Sequence, residues 1–268
     1  MSKAIFFDID GTILDRPHGI DKITPRVEKA MRALQSAGHK IFIATGRPVA
    51  FIYPEILKFG FDGFVASNGA LVIIDGKVIF KSELDMSSVK KICEQAEREQ
   101  IEYVLESYPE MYMPRGFKNM EMFCTIIGID YSNFVRDFDI DKISVAKVEC
   151  VSARMDLQNL DAVYKEMLQT PGITGWSDPF HYRSMEIYSD KVSKATGILE
   201  ALKYFKIDVA DSCAFGDGFN DKEMIQTVGT GFAMGTGSDE LKSFAKYVVP
   251  SVREDGVAVG IERYILGE

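Results

Sequence analysis

The sequence has 268 residues, 46% of them hydrophobic and 26% charged, with a formal net charge of −9. That composition is too apolar for a disordered chain. The charge is too acidic overall to gather nucleic acid or an anionic membrane surface, so neither is an expected partner. A chain of this length suits two modest domains.

Ala4–Phe7 is a short run of apolar residues, as expected of a strand covered on both faces of a parallel sheet. Asp8 ends that run too early for a signal peptide, no later segment is long enough to span a bilayer, and a cytoplasmic location is expected. A helix follows, capped by Thr24 with Pro25 in its first turn and Gly38 past its end. Val27, Ala30, Met31 and Leu34 form its apolar stripe. Lys40–Ala44 reads as a second strand, a short helix follows Arg47, and Gly63–Ala66 reads as a third strand. Leu71–Ile74 and Lys77–Phe80 flank Asp75-Gly76, a strong hairpin signal.

Strand, helix, strand, helix, strand predicts a doubly wound parallel-sheet (Rossmann-like) α/β core. The pattern breaks near Ser82, and Met and aromatic residues thicken until about Tyr188. The expected organisation is a core over 1–82 and 189–268, with a second α/β domain over 83–188 inserted into it. After the insertion come a helix capped by Ser193, a strand at Cys213–Phe215, a helix from Asn220 and a strand near Phe232–Met234. The four cysteines form no CxxC pair and read as reduced, packed side chains. His18, His39 and His181 have no metal-site spacing, and packing or surface roles are expected of them.

Three polar pieces directly follow predicted core strands: Asp8-Ile9-Asp10-Gly11-Thr12, Thr45-Gly46-Arg47 and Gly216-Asp217-Gly218-Phe219-Asn220-Asp221. In open α/β sheets, ligands bind beyond the carboxyl ends of the strands, so these pieces should converge. Ser193-Lys194, opening a helix, would bring an ammonium group to the same place. Asp8, Asp10, Asp217 and Asp221 together are too many carboxylates to stay ionised without a cation, and hard oxygen ligands favour Mg²⁺. Such a group of side chains suits phosphoryl transfer. Asp8 would attack phosphorus, and Mg²⁺ with Lys194 would offset the repulsion between carboxylate and phosphate. Asp10 would protonate the leaving oxygen and later take a proton from water. Thr45, with backbone N–H groups around Gly11 and Gly46, would hold the phosphate oxygens.

The four pieces, in this order, resemble the four motifs of the haloacid dehalogenase superfamily, most of whose members are phosphatases. Asp10 as second acid places the resemblance on the phosphatase side. The long insertion, with Ser67-Asn68-Gly69-Ala70 and the segment Gly216 to Asp221, resembles the Cof-like sugar-phosphate phosphatases. The resemblance implies that Asp8 is the nucleophile and that Asp10 is both the acid/base and a Mg²⁺ ligand through its carbonyl. It makes Asp217 a further ligand and puts Asp221 behind the ligands in a supporting position. It also implies that Thr45 and Lys194 bind phosphate, that Asn220, Arg47 and Asn68 line the site, and that the insertion is a cap closing over substrate. The implied activity is that of a phosphoric monoester hydrolase acting on a small phosphorylated metabolite, by default a sugar phosphate. A phosphomutase or phosphotransferase using the same Asp8, and a phosphosugar-binding protein without turnover, remain the alternatives.

Overall fold

The computed structural model describes residues 2–153, 157–178 and 183–267; His181 and Tyr182 lie outside the described residues. The chain divides into two compact units, one of Met1–Arg47, Ile52–Phe80 and Ser193–Glu268, the other of Pro48–Phe51 and Lys81–Val192.

The first unit is built on an eight-stranded sheet. Its order is Tyr247–Val249, Thr230–Met234, Ser212–Gly216, Ala4–Phe7, Lys40–Ala44, Gly63–Ala66, Leu71–Ile74, Lys77–Lys81. Pairing is parallel from Tyr247–Val249 through to Gly63–Ala66. Leu71–Ile74 then adds antiparallel. The expected hairpin follows, with Asp75 and Gly76 both at positive φ, the backbone that a tight two-residue turn requires.

Both faces of this sheet are covered, which is why its strands are continuously apolar. Alternation along each strand divides the residues between two cores. Ile5, Phe7, Ile41, Ile43 and Phe215 pack with the helix Pro25–Ser36 and with Val257, Ala258 and Ile261 near the C-terminus. Ala4, Phe6, Phe42, Ala44 and Ala214 pack on the other face against the helices Lys194–Phe205, Lys222–Thr227 and Asp239–Phe244. Thr24 caps the first helix as expected, accepting from the Val27 N–H.

The chain leaves Ala4–Phe7 toward Lys40–Ala44 on one side, and the later strands build outward on the other side from Ser212–Gly216. The order therefore reverses between two adjacent strands whose next residues are Asp8 and Asp217. A crevice forms at such a switch point in open α/β sheets. The helix expected from Asn220 begins instead at Lys222. Phe219–Asp221 forms a tighter turn, because the Asp221 carboxylate accepts from the N–H groups of Asp217 and Gly218.

The second unit carries a five-stranded sheet in the order Met111–Tyr112, Ile101–Glu106, Lys147–Ser152, Ser184–Ser189, Ile173–Asp178, with each neighbouring pair antiparallel. Met86–Arg98 and Leu157–Met167 cover one face, burying Val89, Ile92 and Tyr164 against Tyr103, Cys150 and Met185. Lys118–Ile126 covers part of the other, with Met120 and Cys124 against Val104 and Val151. All four cysteines are buried and unpaired. Among the described residues, no helix is long and apolar enough to cross a membrane.

The turn Ser67–Gly69 sits against the start of the helix Lys194–Phe205, and Gly69 allows that approach. At φ +90, a Cβ on Gly69 would lie 1.9 Å from the Ser193 carbonyl oxygen. Gly76 is also at positive φ, +71, but nothing lies within 4 Å of its Cβ position. Gly76→Ala is expected to cost only the left-handed backbone penalty, about 1 kcal/mol, whereas Gly69→Ala should cost about 3 kcal/mol or more. Urea unfolding of the two variants checks this; equal losses would contradict the tight packing of turn on helix.

Candidate active site

The three strand-end pieces and the lysine meet in the first unit. Lys194 Nζ donates to Asp8 Oδ1 at 2.7 Å and to Asp221 Oδ1 at 2.6 Å. Thr12 Oγ1 donates to Asp217 Oδ1 at 2.8 Å, joining the first piece to the third. Asn220 Nδ2 donates to Asn68 Oδ1 at 2.9 Å, and both amide groups lie beside Gly46, where a Cβ would sit 3.2 and 3.0 Å from them. Asn68 N donates to the Thr45 carbonyl and Ser67 N to the Arg47 carbonyl, so the turn at 67–69 is tied to the second piece.

Local sequence explains each placement. Ser193 caps the helix that Lys194 opens, its hydroxyl accepting from Thr196 N while Thr196 Oγ1 accepts from Ser193 N. The lysine then lies at the helix end where a cation opposes the macrodipole. Two carboxylates at hydrogen-bond distance outweigh that penalty. Gly11 permits the contact with Asp217, because a Cβ there would fall 2.0 Å from Asp217 Oδ2.

Burial sets the electrostatics. Asp8 is 6% exposed, Lys194 1% and Asp221 0%. Burial raises the Asp8 carboxyl well above its ordinary range; Lys194 opposes this, and the charges of Asp221 and Asp217 add to it. Asp217 is pushed up to about 7, by burial first and then by Asp221. Burial alone would lower Lys194, but the charges of Asp221 and Asp8 raise it above the usual lysine range. One ammonium group therefore does not satisfy three crowded carboxylates.

Asp8, Asp217 and Asp221 can direct carboxylate oxygens within 4.8 Å of one another, a spacing that fits a divalent ion with hard oxygen ligands. Asp221 has both oxygens engaged, Oδ1 by Lys194 and Oδ2 by the N–H groups of Asp217 and Gly218. Asp8 and Asp217 each commit Oδ1, to Lys194 and Thr12, which leaves each a second oxygen for a ligand.

Asp10 points its carboxylate elsewhere. Arg47 grips it with both ends of its fork, Nε to Oδ2 at 2.6 Å and Nη2 to Oδ1 at 2.9 Å. Tyr53, absent from the sequence reading, completes this arm by accepting from Arg47 Nη2 at 2.7 Å. Nothing in the spacing of Arg47 and Tyr53 marks the contact, which depends on how the chain turns between them. Thr45 is 1% exposed, and its Oγ1 accepts from Arg47 N.

A family model described as haloacid dehalogenase-like hydrolase matches residues 5–261. A Bacillus subtilis protein named "Putative phosphatase YkrA" is 30% identical over 97% of both chains. The Bacillus subtilis phosphatase YwpJ is 25% identical over 96% of this chain and 97% of its own. Among solved structures, the haloacid dehalogenase subclass IIB sugar phosphatase BT4131 superposes with a TM-score of 0.83 at 25% identity, covering 98% of this chain and 99% of that one. The chain belongs to the haloacid dehalogenase-like hydrolases. Within that family it is an enzyme of the phosphoric monoester hydrolase class.

The raised carboxyl groups give a pH prediction. A carboxyl whose folded pKa lies above its unfolded value stabilises the fold fully below the unfolded pKa, near 3.9, and loses that contribution as pH rises through the folded value. For Asp217 that window closes at about 7. A divalent cation competes with the same protons, so millimolar Mg²⁺ is expected to raise the thermal unfolding temperature more at pH 8 than at pH 5. A shift of the same size at both pH values would contradict metal binding by these carboxylates.

Proposed function

We propose that the protein is a cytoplasmic, Mg²⁺-dependent phosphatase that hydrolyses small phosphorylated metabolites through a phosphorylated Asp8, with sugar phosphates as the default substrate class. The observation that carries this reading is the buried bridge from Lys194 to Asp8 and Asp221, with Asp217 beside it. It puts a carboxylate, a fixed cation and an acidic cluster at the end of adjacent parallel strands. The resemblance to the sugar phosphatase BT4131 supports the substrate class.

Each residue then has a chemical task. Asp8 attacks phosphorus with its free oxygen, the bond to the leaving oxygen breaks, and Asp10 supplies the proton that oxygen needs. Water next attacks the phosphorylated Asp8. Asp10 takes the water proton, inorganic phosphate leaves, and the Asp8 carboxylate is restored. Lys194 offsets the negative charge on both reacting groups, while Thr45 and the N–H groups around Gly11 and Gly46 hold the equatorial oxygens. Asn220, Asn68 and Arg47 border the same space. Mg²⁺, held by Asp8, Asp217 and the Asp10 carbonyl, would supply further neutralisation of the phosphate charge. Asp221 stays behind these ligands, fixing Lys194 and the backbone at Asp217.

The reading is tested by phosphate release over a panel of phosphorylated metabolites with Mg²⁺, beside two variants. Asp8→Asn is expected to abolish turnover while the protein stays folded, and near-normal hydrolysis by it would remove the covalent step. In kcat/KM, which reports phosphoryl transfer to Asp8, Asp10→Asn should lose about 10²–10⁴-fold on alkyl phosphates and much less on aryl phosphates, whose leaving groups need no proton. Equal losses on both would remove the acid role.

A further inference from the structure

Asp10 is the one proposed reacting group that the buried cluster does not hold. Its side chain is half exposed, at 51%, whereas the side chains of Asp8 and Asp221 are only 9% and 0% exposed. A short acidic side chain in that position would sample several rotamers unless something fixed it. Arg47 supplies the restraint. Its planar fork engages both oxygens of Asp10, the bidentate geometry that sets a carboxylate's plane as well as its position.

Arg47 is itself restrained from behind. Only 17% of its side chain is exposed. Its Nη2 donates to Tyr53 Oη at 2.7 Å, and its guanidinium carbon lies 4.5 Å from the Tyr53 ring centre. Tyr53 is 4% exposed and packs in the core beneath the sheet. The same ring carries the Arg16 guanidinium 3.6 Å from its centre, and Arg16 pairs with Glu55 at 3.2 Å. The restraint thus runs from a core aromatic ring through one arginine to an exposed acid.

We propose that Arg47 is a positioning residue for Asp10, fixing where its carboxylate stands for proton transfer, and that Tyr53 acts through Arg47. This rests on the reading of Asp10 as the acid/base. It differs from the site-lining role that the family resemblance implies for Arg47. A lining residue binds substrate and acts mainly on KM, whatever the leaving group. A residue that places the acid acts on the rate of phosphoryl transfer to Asp8, most where the leaving oxygen needs its proton, and acts again when Asp10 takes the water proton.

The test uses the full chain with Mg²⁺ and two substrates, an alkyl phosphate with a poor leaving group and p-nitrophenyl phosphate with a good one. Arg47→Lys keeps the charge and removes the fork. It is expected to lower the single-turnover rate of phosphoryl transfer to Asp8 about tenfold or more on the alkyl phosphate and less than about threefold on the aryl phosphate, with the half-saturating substrate concentration little changed. Tyr53→Phe keeps the ring and removes only the hydroxyl acceptor, so it should fold normally and give a smaller loss with the same bias. In an Asp10→Asn background, Arg47→Lys should cost nothing further, because the group it places has lost its function. Equal losses on both substrates, a change confined to the half-saturating concentration, or full additivity with Asp10→Asn would overturn the proposal. Asp10→Asn alone separates the two levels. If it shows the leaving-group bias and Arg47→Lys does not, only the positioning role falls; if Asp10→Asn shows none, the acid reading falls and takes this proposal with it.

Discussion

A lysine ammonium buried between two carboxylates organises the first unit. Lys194 is 1% exposed and sits 2.7 Å from Asp8 and 2.6 Å from Asp221. Burying one charge is costly, and mutual attraction offsets this only with good geometry and further hydrogen bonds. Asp221 meets that requirement, since its second oxygen accepts from two backbone N–H groups. Removing one member of such a group strands the others as uncompensated buried charge, so the arrangement resists piecemeal change. Much of the surrounding structure serves it, including the Ser193 cap and the close approach at Gly69 that seats the lysine's helix.

The sheet order explains why these residues meet at all. Two adjacent parallel strands end side by side and send their connections to opposite sides of the sheet, so Asp8 and Asp217 emerge next to each other although they are far apart in sequence. One lysine among several carboxylates leaves the cluster short of positive charge. The raised Asp8 and Asp217 carboxyl groups express that shortage, and a divalent ion or a proton relieves it. The proposed chemistry uses the same imbalance, because a phosphoryl group arrives with its own negative charge and needs the cations already in place.

What the sequence disclosed follows from which patterns are local. The apolar strands, the Thr24 and Ser193 caps and the Asp75-Gly76 hairpin were legible because each depends on neighbouring residues. The polar pieces at strand ends were legible as one site because fold topology, not spacing, brings them together. The Arg47–Asp10 grip carried no signal in the sequence, because the two lie 37 positions apart with no shared period, and the contact of Tyr53 with Arg47 depends on how the chain turns between them. In the second unit, Lys147 and Glu149 alternate with Val148 and Cys150, a pattern that ordinarily puts the polar face in water. Both are buried instead, at 1% and 5%, with Lys147 Nζ 3.2 Å from Glu106 and 3.3 Å from Glu186. Cross-strand charge pairing of this kind depends on register, which alternation alone does not supply.

The central claim is that Asp8, held against Lys194, carries the phosphoryl group in transit. The most direct measurement is acid quenching of the protein during turnover of a phosphorylated metabolite with Mg²⁺, followed by peptide mass spectrometry. The account predicts a peptide heavier by one phosphoryl group, with the added mass on Asp8 and lost on return to neutral pH as an acyl phosphate hydrolyses. Steady turnover with Asp8 unmodified at every quench time, or a phosphoryl group on a different side chain, would contradict it.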